Sequence, residues 1–334
     1  MTMRVVISGF GTVGQGLVEV LERKKTFIER RFGNPVRIVA VFDSSSLAYS
    51  KEGLDPKALL ERKASTGKVG EPRPKDMANF LEEIDFDILI EVSPTNIETG
   101  GEGLIFIRKA LTKGCHVITV NKGPLALHFQ ELNNLAKSND VQLRFEGAVG
   151  GAMPIINLCK ENFMGERILT IQGILNGTCN FILSRMDKGL PFEQALKEAQ
   201  ELGYAEADPR YDIDGIDTAS KVAILANAVF DRHCTFADVS VTGITAITEE
   251  AIALAGDQNM VVRLIGEVSN DKLEVAPRLI PKGHPLSLSG TLNMAQINTD
   301  LAGPITISGC GAGRIETASA IFSDLVAILE EERQ

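Results

Sequence analysis

At 334 residues, with 44% hydrophobic and 23% charged side chains, the chain has a globular composition and the length of about two domains. Thirty-four basic against forty-four acidic residues give a net charge of −10 with no basic stretch, which argues against a nucleic-acid partner. No run approaches the roughly 18 apolar residues of a membrane helix, the start MTMRVVISGFG is too short for a secretion signal, and five scattered cysteines without a CxxC pair suit the cytoplasm.

MRVVIS (3–8) predicts a strand, followed by Gly9-Phe10-Gly11-Thr12-Val13-Gly14 and a helix in which Val13, Leu17, Val20, Leu21 and Phe27 recur at helical spacing to about Arg31. In that context the GxGxxG turn reads as a dinucleotide fingerprint. Gly9 permits the tight turn, Gly11 lets a pyrophosphate approach the backbone, Gly14 lets the helix sit close to the strand, and the helix N–H groups face the anion. VRIVAVF (36–42) is the second strand. Asp43 at its end suits a ribose 2′-hydroxyl and repels a 2′-phosphate. Residues 44–50 hold no Arg or Lys, with Lys51 next along, so the reading favours NAD and leaves NADP open. Residues 44–86 are expected to form a loop-rich surface insertion with one short helix near Lys57–Lys63.

DILIEVS (87–93), a helix from Glu102 to Thr112, CHVITV (115–120), a helix from Pro124 to Ser138 and VQLRF (141–145) continue the alternation. The pattern predicts a Rossmann-type α/β domain over residues 1–145, its parallel sheet covered on both faces. Lys122 and Glu146 follow strands directly, at the carboxyl ends where ligands bind; either one alone is as readily a solvated loop charge.

After Gly150 the pattern becomes α+β: a strand at 168–175, helices near 177–188, 191–202 and 215–230, then extended MVVRLIGEVS, KLEVAPRLI and TLNMAQIN. This second domain is taken as 146–304, and the strand, Gly-rich turn and helix of 305–334 are expected to return and complete the first. Asn176-Gly177-Thr178-Cys179-Asn180 opens a helix whose N–H groups suit a substrate carboxylate as well as an N-capping turn. No histidine lies near Cys179, which reads as a packing residue rather than a nucleophile. Glu206, Asp208, Asp212, Asp214 and Asp217 face only Arg210 and Lys221, a density that fits a calcium loop, a solvated turn or an amine site, though not the EF-hand pattern. Asp217 and Lys221, four apart at the start of an apolar helix, project from one face, and a cleft is a better destination for them than a surface ion pair.

Through GFGTVGQG, VNKGPLA, EGAVGGAMPI, GILNGTCNFIL, LGYAEADPRYDIDGIDTASK and GCGAGRIETA the chain resembles homoserine dehydrogenase over essentially its whole length, the fifth motif being the most specific. The resemblance implies reversible NAD(P)-linked reduction of L-aspartate 4-semialdehyde to L-homoserine, in threonine and methionine biosynthesis. It implies Lys221 as proton donor with Lys122 beside the nicotinamide, Glu206, Asp217, Asp212 and Thr178 at the substrate, and Ser93, Gly203 and Gly311 near the cofactor. It also implies a sodium or potassium ion held largely by carbonyls at Glu146, Val149, Gly151 and Met153, and a homodimer built through the second domain. No ACT-type regulatory domain or aspartate kinase is recognisable, so threonine feedback through one is not expected.

Hydride addition to an aldehyde leaves an alkoxide, which requires a proton and a nearby positive charge. A buried lysine serves both directions when a second cation pulls its pKa toward neutrality, and the sequence leaves open which of Lys122 and Lys221 moves the proton. The alternatives are a dehydrogenase for another amino-acid aldehyde, including a phosphorylating one with a cysteine thiolate, and a dinucleotide-sensing protein without turnover.

Overall fold

Val5 and Ile7 point to one side of the first strand and Val6 to the other, and none of the three reaches solvent, so the strand is packed on both faces. The computed structural model describes residues 2–33 and 36–333 and divides into two compact units, Met1–Ala148 with Gly313–Gln334 and Val149–Ala312.

The first unit runs β1 (Met3–Ser8), α1 (Thr12–Phe32), β2 (Val36–Phe42), β3 (Ser46–Tyr49), α2 (Pro56–Thr66) and β4 (Glu71–Pro72). It continues with α3 (Met77–Glu83), β5 (Ile88–Glu91), α4 (Gly101–Thr112), β6 (His116–Thr119), α5 (Lys122–Ser138) and the two-residue β7 (Leu143–Arg144). The sheet order is β4-β3-β2-β1-β5-β6-β7, parallel from β2 to β7. One face packs against α1 and the C-terminal helix; the other packs against α3, α4 and α5.

Residues 44–86 correct the expectation of a loop-rich insertion. β3 pairs antiparallel with β2 and β4 with β3, and two helices rather than one follow. The Ser-rich stretch is a tight turn satisfied by Asp43, which accepts the Ser45 and Ser46 N–H groups at 2.8 Å, after which Leu47 and Tyr49 continue as strand. α2 begins with Asp55 accepting the Lys57 N–H at 2.8 Å and Pro56 at the first turn, and ends at Gly67.

The second unit holds α6 (Ile155–Asn157), β8 (Ile168–Ile174), α7 (Gly177–Met186), α8 (Phe192–Glu201), α9 (Arg210–Ile213) and α10 (Ile216–Phe230). It closes with β9 (Ser240–Val241), α11 (Glu249–Asp257), β10 (Met260–Ser269), β11 (Leu273–Pro281), β12 (Asn293–Thr299) and β13 (Pro304–Gly309). Its sheet order is β13-β12-β8-β10-β11-β9, antiparallel except for β11 with β9. Residues 217–227 of α10 are all buried, so this helix is an internal element rather than an amphipathic cover.

β13 pairs with β12, so residues 305–309 belong to the second sheet and 310–312 to the second unit, and the return to the first unit begins only at Gly313. From there α12 (Arg314–Glu331) packs against the sheet face that carries α1. No helix among the described residues is long and apolar enough to cross a membrane.

Candidate active site

In the first unit the chain leaves β1 through Gly9, at φ +102°, where an added Cβ would lie 2.7 Å from the backbone of Val92 and Ser93. A Cβ at Gly14 would lie 2.1 Å from the Gly9 carbonyl oxygen, whereas one at Gly11 would meet nothing within 4 Å. Gly9 and Gly14 thus serve the protein's own packing, and Gly11 leaves its outer side open. α1 starts with Gly11 as N-cap, no capping side chain and no acid in its first turn, so the N–H groups at Thr12 and Val13 stand at an uncompensated positive helix end. The Phe10 ring is buried, leaving its backbone to the turn. This cradle fits a dinucleotide pyrophosphate.

Asp43 has a partner that the sequence analysis did not place. Lys63, carried in from α2, places Nζ 2.7 Å from Asp43 Oδ2, and Arg73 lies 3.4 Å from the Asp43 carbonyl while stacking over Phe42 and Phe106. The cation paired with Asp43 is therefore not Lys51 but one supplied by the expected short helix of the insertion. Burial alone would raise the Asp43 pKa; the Lys63 ammonium and the Ser45 and Ser46 hydrogen bonds overcome this and hold it well below the usual carboxylate range.

Ser93 follows β5, and its hydroxyl accepts from Asn121 Nδ2 at 3.3 Å. Lys122 is the first residue of α5, half-buried, behind an Asn121 cap that accepts the Gly123 N–H at 3.2 Å. Glu146 is buried in a short turn with its N–H donating to Asp324 Oδ2 at 3.0 Å.

In the second unit, α7, α9 and α10 bring an amide, two acids and a lysine together. Lys221 Nζ donates to Asp217 Oδ2 and to the Leu175 carbonyl, both at 2.7 Å, and the Lys221 and Asp217 side chains are each only 8% exposed. An ammonium carries three donors, so one N–H remains beyond these two. Asn176 Nδ2 donates to Asp212 Oδ1 at 2.7 Å and to Asp217 Oδ2 at 2.9 Å, while its Oδ1 caps α7 by accepting the Cys179 N–H at 2.8 Å. Burial, then the charge of Asp217, pushes the Asp212 pKa up. The Thr178 hydroxyl donates to the Tyr204 carbonyl at 2.7 Å. Burial drives the Cys179 thiol well above its ordinary range, and its Sγ donates to the Asp212 carbonyl at 3.1 Å, as expected of a packing residue.

The acidic segment divides by environment. Asp208 pairs with Arg210 at the surface, and that hydrogen bond draws its pKa down to about 2. Glu206 is exposed, its carbonyl accepting from Gln200 Nε2 at 3.1 Å, and the buried network of Asn176, Asp212, Asp217 and Lys221 does not include its carboxylate. Gly203 is an exposed turn residue at φ +76°, and a Cβ at Gly311 would fall 1.9 Å from Asn293 Nδ2. Around Val149, Gly151 and Met153 the backbone folds tightly: Met153 N–H donates to the Gly150 carbonyl and Ala152 N–H to the Cys310 carbonyl, both at 3.0 Å. Among the described residues no cluster of three or more His, Cys, Asp or Glu is arranged to hold a metal ion.

Sequence reasoning missed Lys63 and Asn293. Asn293 Nδ2 donates to the Leu175 carbonyl at 3.0 Å. Its signal was its phase, since along β12 the buried positions are Asn293, Ala295, Ile297 and Thr299.

Two family models match the chain: "Homoserine dehydrogenase, NAD binding domain" over residues 9–146 and "Homoserine dehydrogenase" over residues 154–326. A homoserine dehydrogenase of Methanocaldococcus jannaschii is 46% identical over 99% of this chain and 100% of that protein. An NAD(+)-dependent homoserine dehydrogenase of Pseudomonas canavaninivorans is 38% identical over 97% of this chain and 96% of its own length. Among solved structures, a hyperthermophilic archaeal homoserine dehydrogenase in complex with NADPH superposes with a TM-score of 0.86 at 32% identity, covering 99% of this chain and 98% of that one. The homoserine dehydrogenase of Thiobacillus denitrificans gives 0.87 at 33% identity, covering 99% and 74%.

Proposed function

The chain belongs to the homoserine dehydrogenase family, and from that premise we propose how its residues divide the work. It is an NAD(P)-dependent oxidoreductase acting on a CH–OH group, interconverting L-homoserine and L-aspartate 4-semialdehyde in threonine and methionine biosynthesis.

Lys221 gives the proton to the forming alcohol and takes it back in the oxidative direction. The observation that carries this reading is the buried ammonium held between Asp217 and the Leu175 carbonyl, a fixed positive group with an N–H to offer. Asp217 keeps that ammonium in place, Asp212 and Thr178 line the substrate site, and Glu206, unpaired with any cation in the buried network, binds the substrate α-ammonium. The bound dinucleotide supplies or accepts the hydride. Gly9 to Gly14 hold its pyrophosphate, Asp43 meets its ribose, and Ser93, Lys122, Gly203 and Gly311 lie along it, with Lys122 beside the nicotinamide.

NAD is the favoured cofactor, supported by the depressed Asp43 carboxylate at the ribose position; Lys63 beside it supports use of NADP as well. A monovalent cation would be held at Glu146, Val149, Gly151 and Met153, supported by the tight carbonyl-rich backbone at 150–153. A homodimer through the second unit is supported by exposed Met164, Leu169, Leu279 and Leu301. A cytoplasmic location is supported by the thiols of Cys115, Cys179, Cys234 and Cys310.

The test follows NADH formation from L-homoserine with the wild type, Lys221→Ala and Glu206→Gln. Wild-type turnover, a kcat lower by about 10²–10⁴-fold in the lysine variant and chiefly a raised KM in the glutamate variant are expected. Wild-type kcat in Lys221→Ala would remove the role given to that residue.

A further inference from the structure

Glu91 is the last residue of β5 and no part of it reaches solvent. Oε1 accepts from the Ser93 backbone N–H at 3.0 Å and from Ser8 Oγ at 3.4 Å. Thr119 Oγ1 donates to the Glu91 carbonyl at 3.0 Å and lies 3.5 Å from Oε2, and the Asn121 side chain lies beside the carboxyl. Ser8, Ser93, Thr119 and Asn121 stand at the carboxyl ends of β1, β5 and β6, the rim along which a dinucleotide lies on a parallel sheet.

The contacts continue outward from the carboxyl. Asn121 Nδ2 donates to Ser93 Oγ at 3.3 Å, and Asn121 Oδ1 accepts the Gly123 N–H at 3.2 Å, so the side chain tied to Glu91 through Ser93 also caps the helix beginning at Lys122. α4 is kept bare where it passes: a Cβ at Gly103 would lie 2.7 Å from Asn121 Nδ2 and 3.0 Å from the Glu91 carboxyl carbon. Burying an acid here is unfavourable for packing alone, which a methionine of similar length would serve better.

We infer that Glu91 is a positioning residue for hydride transfer, its carboxyl fixing the Ser93 backbone and, through Ser93, the Asn121 cap that presents Lys122 to the cofactor. This rests on the proposal that Ser93 and Lys122 face the nicotinamide. Burial pushes the Glu91 pKa up to about 7, so the network accommodates the protonated acid and the isosteric amide is the conservative replacement.

The test compares Glu91→Met, Glu91→Gln, Gly103→Ala and Lys122→Ala in the full chain, varying dinucleotide and homoserine separately and recording thermal unfolding by circular dichroism. Glu91→Met is expected to raise the dinucleotide KM about tenfold while the homoserine KM stays within about twofold. Glu91→Gln should return to within about threefold of wild type, and Gly103→Ala should move the dinucleotide KM in the same direction as Glu91→Met. A folded Glu91→Met protein with the wild-type dinucleotide KM overturns the inference, as does one whose two KM values rise together, or a Glu91→Gln protein equally impaired. If Glu91→Met does not fold, Gly103→Ala decides: a raised dinucleotide KM supports the inference and an unchanged one overturns it. Lys122→Ala separates the two readings. Wild-type kcat there removes the role given to Lys122, whereas a lost kcat beside unchanged dinucleotide KM values in Glu91→Met and Gly103→Ala removes only that of Glu91.

Discussion

Lys221 Nζ and Asn293 Nδ2 donate to one and the same acceptor, the Leu175 carbonyl, at 2.7 and 3.0 Å. The carbonyl lies one residue beyond β8 and its two lone pairs are both engaged, so the lysine is held by an acceptor that is itself held. Asn293→Ala should lower kcat for homoserine oxidation about tenfold and leave the dinucleotide KM unchanged, the loss of one buried hydrogen bond to the acceptor. Steady-state kinetics with each substrate varied in turn decides it; an unchanged kcat would show that the lysine holds its position without help.

Removing the ammonium affects stability as well as turnover. Lys221→Met takes the ammonium away from the buried Asp217 carboxylate and leaves that charge beside Asp212, which is expected to destabilise the second unit by about 3–5 kcal/mol. Adding Asp217→Asn should restore most of that stability without restoring activity. Urea unfolding of the single and double variants reads the first effect, and NADH formation the second.

At the position proposed for the ribose, Asp43→Ala removes an acceptor and frees Lys63 from its ion pair while its bond to the Gly67 carbonyl remains. The ratio of kcat/KM for NADP+ over that for NAD+ should rise at least about tenfold, because a freed ammonium can bond a 2′-phosphate. Lys63→Ala should move the ratio the other way, and equal ratios in all three proteins would separate this ion pair from cofactor choice.

Stability should depend on pH through Glu91. Its carboxyl is raised from 4.5 to about 7 in the folded state, so the folded form binds more protons than the unfolded one between these values. The stabilising difference is present below the unfolded value and is lost as pH rises through the folded one. Relative to Glu91→Gln, the wild type should lose Tm between about pH 5 and about pH 8. Parallel Tm curves for the two proteins would contradict the shift.

The βα alternation before Gly150 was legible because each strand is a continuous apolar run and each helix carries an apolar stripe, the patterns that two-sided burial imposes. The stretch after Asp43 was not, because an aspartate bonding the following serine N–H groups makes a polar run into a hairpin turn. Lys63 escaped notice because it lies 20 residues from Asp43 and only the fold of α2 brings it back. Asp217 and Lys221 were legible as a pair because they share one helix. Asn176 was legible as part of a helix-opening turn suited to a carboxylate or a cap, but its bonds to Asp212 and Asp217 were not, since they span 36 and 41 residues.

The burial of α10 along residues 217–227 has a bearing on how such a protein diversifies. A mutation on that rod disturbs packing on every side, so the group proposed to move the proton sits where drift is least tolerated. Glu206 belongs to an exposed turn, where replacements are mechanically cheap. Laboratory evolution toward other amino-alcohol substrates should therefore accumulate its changes across 203–208 and leave the rod untouched.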